Sequence, residues 1–143
     1  MKKSILTKMM VVAIACMVIA CGNDDEELKI PKIEPNNTEL VFTSDGGTKE
    51  ISVTNYDSWI IKGMHYNVTD KNGNTINTVT VQATNTKKMS DGWLKATVVS
   101  KNGKENYLSL EVQKNGSSLK RDKYVSMSCG QLGVAVHVIQ EGK

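Results

Sequence analysis

Beyond Pro35 the chain carries no proline, and its apolar residues alternate with polar ones in short runs broken by glycine, asparagine and aspartate. A period of two sends successive side chains to opposite faces, so each run reads as a strand with one face toward a core and one toward water. Freedom from proline fits this, because proline cannot donate to a sheet ladder. Leu40 and Phe42 alternate in the first run, Asp45-Gly46-Gly47 turns the chain, and Ile51 and Val53 alternate in the next, which predicts a hairpin. Trp59, Ile60 and Ile61 start a third strand, with His65 to Val68 as its continuation and a polar turn from Asp70 to Asn74. Val79, Val81 and Ala83 mark a fourth, and Asn85 to Gly92 reads as a polar loop. Leu94, Ala96 and Val98 mark a fifth, which Lys101-Asn102-Gly103-Lys104 turns into a sixth with Tyr107 or Leu108, Leu110 and Val112. Tyr124 to Ser128 and Val134 to Gln140 supply the last two. No run has helical spacing, so the expected class is all-β, an antiparallel sandwich of about seven to eight strands.

The first twenty residues have a different character. Lys2, Lys3 and Lys8 precede an apolar stretch from Met9 to Ala20, the zoning of an export signal. The stretch is too short for a permanent span, which needs about 20 apolar residues. Val18-Ile19-Ala20-Cys21 matches a lipobox: an aliphatic residue, a small residue last, then a cysteine whose thiol accepts a diacylglyceryl group. Cys16 competes poorly, since Ala13 stands where the aliphatic residue is needed. The expectation is cleavage before Cys21 and anchoring through lipid on it, each buried CH₂ contributing about 0.8 kcal/mol. An ordinary secretory signal with a chance cysteine is the alternative.

The formal charge of +3 equals the three signal lysines, so the part beyond Cys21 is neutral and offers no electrostatic reason for a nucleic-acid partner. Residues 21–35 read as an acidic tether, opened by Asp24-Asp25-Glu26-Glu27. A run of that kind stays solvated. It is a plain spacer, or it resembles the surface-export signal of Bacteroidetes lipoproteins. The expected location is the bacterial outer membrane, with the periplasmic and cell-surface sides left open.

Residues 40–54, LVFTSDGGTKEISVT, followed by Trp59, resemble the opening of a BACON domain. Val134-Ala135-Val136-His137-Val138-Ile139-Gln140 is similar to the family's closing strand with its terminal glutamine. The resemblance implies an immunoglobulin-like sandwich over residues 36–143 and a role in binding glycans or mucin. Two departures stand out: Tyr66 lies where the family usually has a second tryptophan, and the Asn85 to Gly92 loop looks inserted.

Few residues carry chemistry. Trp59 sits within the apolar pattern and reads as core. Trp93 sits just outside it and is the glycan candidate, because a flat aromatic face stacks on sugar C–H groups while Asp91 and Asn85 take hydroxyls. Packing at the sandwich edge is the competing role. Tyr56 and Tyr66 could widen the platform. His65 and His137 have no Cys or acidic residue at metal-ligand spacing, and His137 falls opposite the face of Val134, Val136 and Val138. Cys129 reads as a small filler or a dimerising thiol. There is no nucleophile with its base, no phosphate-cradling loop and no suggestive carboxylate pair. The chain is therefore read as non-catalytic and without cofactor or metal. The leading expectation is a glycan-binding module; the alternative is an accessory lipoprotein that docks on another envelope protein, with a pilus-type subunit subordinate to both.

Overall fold

A computed structural model describes residues 32–143; the signal segment, Cys21 and the tether up to residue 31 lie outside the described residues. Nine strands form two sheets: β1 (Glu39–Phe42), β2 (Gly47–Ser52), β3 (Ile60–Thr69), β4 (Thr75–Gln82), β5 (Lys88–Asp91), β6 (Leu94–Lys101), β7 (Lys104–Val112), β8 (Arg121–Cys129) and β9 (Leu132–Gln140). One sheet has the order β1-β9-β8-β3-β4 and the other β2-β7-β6-β5. The class is the expected immunoglobulin-like sandwich, with one more strand than the sequence pattern marks.

Alternation in the sequence becomes burial. Leu40 and Phe42, Val125 and Met127, and Val136 and Val138 face inward from one sheet. Ile51, Leu108, Leu110, Val112, Leu94 and Ala96 meet them from the other, with Trp59 at 2% exposure among them. The core also takes in Ile33, and Pro35 bridges Val53, so the packed domain begins inside the segment read as tether. In β3, Ile61 and Met64 are both buried although three positions apart. A register shift between Ile61 and Gly63 adds the residue that restores the inward face.

Two local expectations are corrected. The runs flanking Asp45-Gly46-Gly47 do not pair with each other: β1 lies parallel to β9, and β2 antiparallel to β7 in the other sheet. Gly46, at φ 77° and with its N–H on Thr43 O (3.0 Å), carries the chain across the sandwich. A Cβ there would lie 2.1 Å from Val112 O, so only glycine fits. The polar loop from Asn85 to Gly92 contains β5, whose single buried apolar residue, Met89, gives no alternation to read. By contrast Asn102 (φ 55°) and Gly103 (φ 77°) make the tight turn that their types predict between β6 and β7.

Candidate functional site

Strand register decides which side chains meet at each end of the sandwich. β5 ends at Asp91 opposite Leu94, and Leu94 faces Val112 at the end of β7. β8 begins at Arg121, opposite Gln140 near the end of the chain. Asp91, Trp93, Arg121 and Gln140 therefore share one end. Backbone bonds tie it together, with Gln113 N–H donating to Trp93 O at 2.9 Å. The opposite end gathers residues 55–59, 84–87 and 102–106, through Ile61 N–H on Thr86 O (2.8 Å) and Glu105 N–H on Asp57 O (3.1 Å).

A cleft of about 470 Å³ opens at the first end, lined by Tyr66, Asn67, Thr69, Asp91, Trp93 and Lys120 to Lys123. Small-ligand sites occupy roughly 300–1,000 Å³, so the cleft is of small-ligand size. Lys123 occupies its floor. Its parity with Val125 and Met127 turns it inward, where its side chain is 8% exposed. Nζ donates to Asp91 Oδ2 (2.6 Å) and Asp91 O (2.8 Å), and it lies 5.3 Å from the Tyr66 ring centroid and 5.7 Å from that of Trp93. The buried ammonium thus has a counter-charge and two aromatic faces, which offsets its desolvation.

Arg121 lies over Trp93 at 4.6 Å. Its Nε donates to Gln140 Oε1 (2.9 Å) and its Nη2 to Gln113 O (3.1 Å) and Lys114 O (3.3 Å), all neutral acceptors. Partial burial lowers the guanidinium pKa from its ordinary value, and the group remains charged. Among the described residues no carboxylate lies within 4.0 Å of Arg121 or Lys120, while Asp91 is engaged by Lys123 and Asp122 by His137 Nε2 (2.8 Å). The cleft lining thus holds three cations and two carboxylates, a net charge of +1 beside a tryptophan, and among the described residues Lys120 and Arg121 have no carboxylate at salt-bridge distance.

Three of the five sequence candidates, Trp93, Asp91 and Tyr66, converge here. The other two do not. Asn85 Oδ1 accepts the Lys87 N–H (2.9 Å) in the loop at the opposite end, and Tyr56 is half-buried against the core in the loop before β3. Asp91 is also no free acceptor for a sugar hydroxyl, being held by Lys123. Arg121 and Lys123 escaped the sequence reading, although a lysine at a core parity in β8 was a legible signal.

Elsewhere, His65, Tyr124 and His137 form a row across β3, β8 and β9 on the outer sheet face. Their rings stack at 4.8 Å and 4.2 Å between centroids. Tyr124 separates the two imidazoles, so they cannot share one ion. Cys129 is half-buried at the end of β8.

The chain matches no family model and no curated protein. Among solved structures it is similar to an NMR structure of a protein from Bacteroides thetaiotaomicron, with TM-score 0.61 and 16% identity over 86% of this chain and 98% of the other. It also aligns with a Bacteroides ovatus GH5 xyloglucanase in complex with a XXXG heptasaccharide, with TM-score 0.48 and 16% identity over 78% of this chain and 19% of the other. At these identities the first likeness is one of fold.

Proposed function

We propose that the protein is a non-catalytic, lipid-anchored envelope module of BACON type that binds glycans, with acidic sugars preferred, in the cleft between β3, β5 and β8. The observation that carries this reading is Arg121 lying over Trp93 with Lys120 in the same cleft lining, two cations with no carboxylate partner among the described residues. A neutral sugar would find an aromatic wall already covered by Arg121. A carboxylated or sulfated sugar would instead take the guanidinium and the Lys120 ammonium as partners beside the ring. Lipid on Cys21 would hold the module at the outer membrane.

The test is a panel of matched neutral and acidic oligosaccharides presented to the full chain in detergent, alongside Trp93→Ala and Lys120→Gln. Binding confined to acidic members, weakened about tenfold or more by each substitution and by raised salt, is the expected result. Equal binding to neutral members removes the charge argument, and no binding at all removes the glycan reading.

A further inference from the structure

A sandwich of two open sheets has four edge strands, here β1 and β4 in one sheet and β2 and β5 in the other. Exposed edges invite pairing with other chains, and native proteins blunt them with short strands, charges or covering segments. Three of the four are blunted in those ways. β1 has four residues, and Lys49 Nζ caps its Val41 carbonyl. β2 carries Lys49 and Glu50, and its end is covered by Asn36, whose N–H donates to Ser52 O and whose Oδ1 accepts the Ser52 N–H, both at 2.9 Å. β5 has four residues with Lys88 and Asp91 at its ends.

β4 has none of these devices. Its eight residues, Thr75-Ile76-Asn77-Thr78-Val79-Thr80-Val81-Gln82, contain no charge, proline or glycine, and all but Val79 are exposed. Ile76 at 65% and Val81 at 37% exposure are large apolar side chains left in water. The ladder with β3 is regular from Gly63↔Gln82 to Val68↔Asn77, so the strand is straight where it is open. Ala83 N–H points at Lys62 O (2.9 Å). By alternation the N–H and C=O groups of Ile76, Thr78, Thr80 and Gln82 point away from β3, to the open edge.

We propose that β4 is a homodimerisation edge, pairing antiparallel with β4 of a second copy about a two-fold axis normal to the sheet. The absence of charge selects this occupant. In a two-fold pair each side chain near the axis faces its own kind, so any charged residue there would meet a like charge. An edge meant for a different protein can carry charge and find its complement. With Thr78 opposite Thr80 of the second copy, Val79 meets its twin across the axis in a non-hydrogen-bonded pair, flanked by threonine pairs. Both open edges are consumed, so assembly closes at two copies. This inference is independent of the glycan reading.

The experiment places Val79→Cys in the full chain, in a Cys129→Ser background, expressed in a bacterial envelope and treated with a mild oxidant. Cα atoms of a non-hydrogen-bonded antiparallel pair lie about 4.5 Å apart, within disulfide reach. A covalent homodimer is expected from Val79→Cys and not from Lys88→Cys at the β5 edge or from the background alone. Adding Thr78→Lys and Thr80→Lys on the solvent face should reduce that dimer at least tenfold. Co-expression with a Val79→Cys chain carrying Thr78→Glu and Thr80→Glu should restore it as a mixed dimer. The proposal is overturned by equal cross-linking from the β5 edge, by cross-linking to a different protein, by no dimer, or by a dimer indifferent to the charges.

Discussion

Two buried polar side chains close the cleft end of the sandwich. Gln140 is fully buried; its Nε2 donates to Gln113 O (2.9 Å), Thr43 O and Ser44 O (both 3.2 Å), and its Oε1 accepts from Arg121 Nε (2.9 Å). It ties both sheets and the β1–β2 crossover to one amide. Each orphaned buried partner costs about 1–3 kcal/mol, so Gln140→Leu, close in volume, should destabilise by roughly 3 kcal/mol or more in urea unfolding. Lys123 and Asp91 make the complementary case. Asp91→Ala strands a buried ammonium and should cost about 3–5 kcal/mol, whereas Lys123→Met leaves a carboxylate that is nearer to solvent and should cost less. Equal losses from the two would overturn the view that the more deeply buried ammonium is the costlier charge to strand. These values also guard the binding test, since a variant that lowers affinity while keeping its unfolding midpoint acts on the site.

At the scale of elements, eight strands could be read from alternation, most of them because they carry several inward apolar residues, as in β7 with Leu108, Leu110 and Val112. β5 could not, because four residues with one buried methionine have no period. The false hairpin has a different cause. Local pattern fixes that β1 and β2 each need a core face, but partner choice depends on residues near the far end of the chain, Leu40 pairing Val138 and Ile51 pairing Leu108. The candidate site was legible in part for the same reason: Asp91 and Trp93 are near in sequence, while Arg121 and Lys123 reach them only through sheet order. Gly46 and Gly103 allow the crossover to be weighed. Both have φ 77°, but an added Cβ meets Val112 O at 2.1 Å in one and nothing within 4 Å in the other. Gly103→Ala should cost about 1–2 kcal/mol, the backbone term alone. Gly46→Ala adds a backbone clash and should cost at least about 2 kcal/mol more, by equilibrium unfolding. Similar losses in both would mean that the crossover gives way easily.

Across the whole molecule, paired charges set how the fold answers pH. The Lys87 hydrogen bond, with that of Ser58, holds the Glu105 carboxyl below its ordinary range at the end remote from the cleft. Lys95 does the same for Glu111 on the four-stranded sheet, and the Asn74 side chain and backbone do so for Asp70 in the β3–β4 turn. A carboxyl lowered in the folded state adds stability above its unfolded pKa, about 4 for these types, and loses it as pH falls through the lower folded value. Lys101 is raised by its hydrogen bond to Glu50, so its contribution is whole below the unfolded lysine value, about 10.4, and is lost as pH rises through the folded one. Stability should therefore be level from about pH 5 to 10 in these terms and fall on both sides. Three separate regions contribute to the acid limb, so Glu105→Gln should make it shallower without abolishing it, and Lys101→Met should make the alkaline limb shallower. Since these pairs are solvent-exposed, about 1 M salt should weaken both effects. Unfolding midpoints measured from pH 2 to 11 check this: an acid limb unchanged by Glu105→Gln would show that the Lys87–Ser58–Glu105 cluster forms equally in the unfolded chain or adds nothing to the fold.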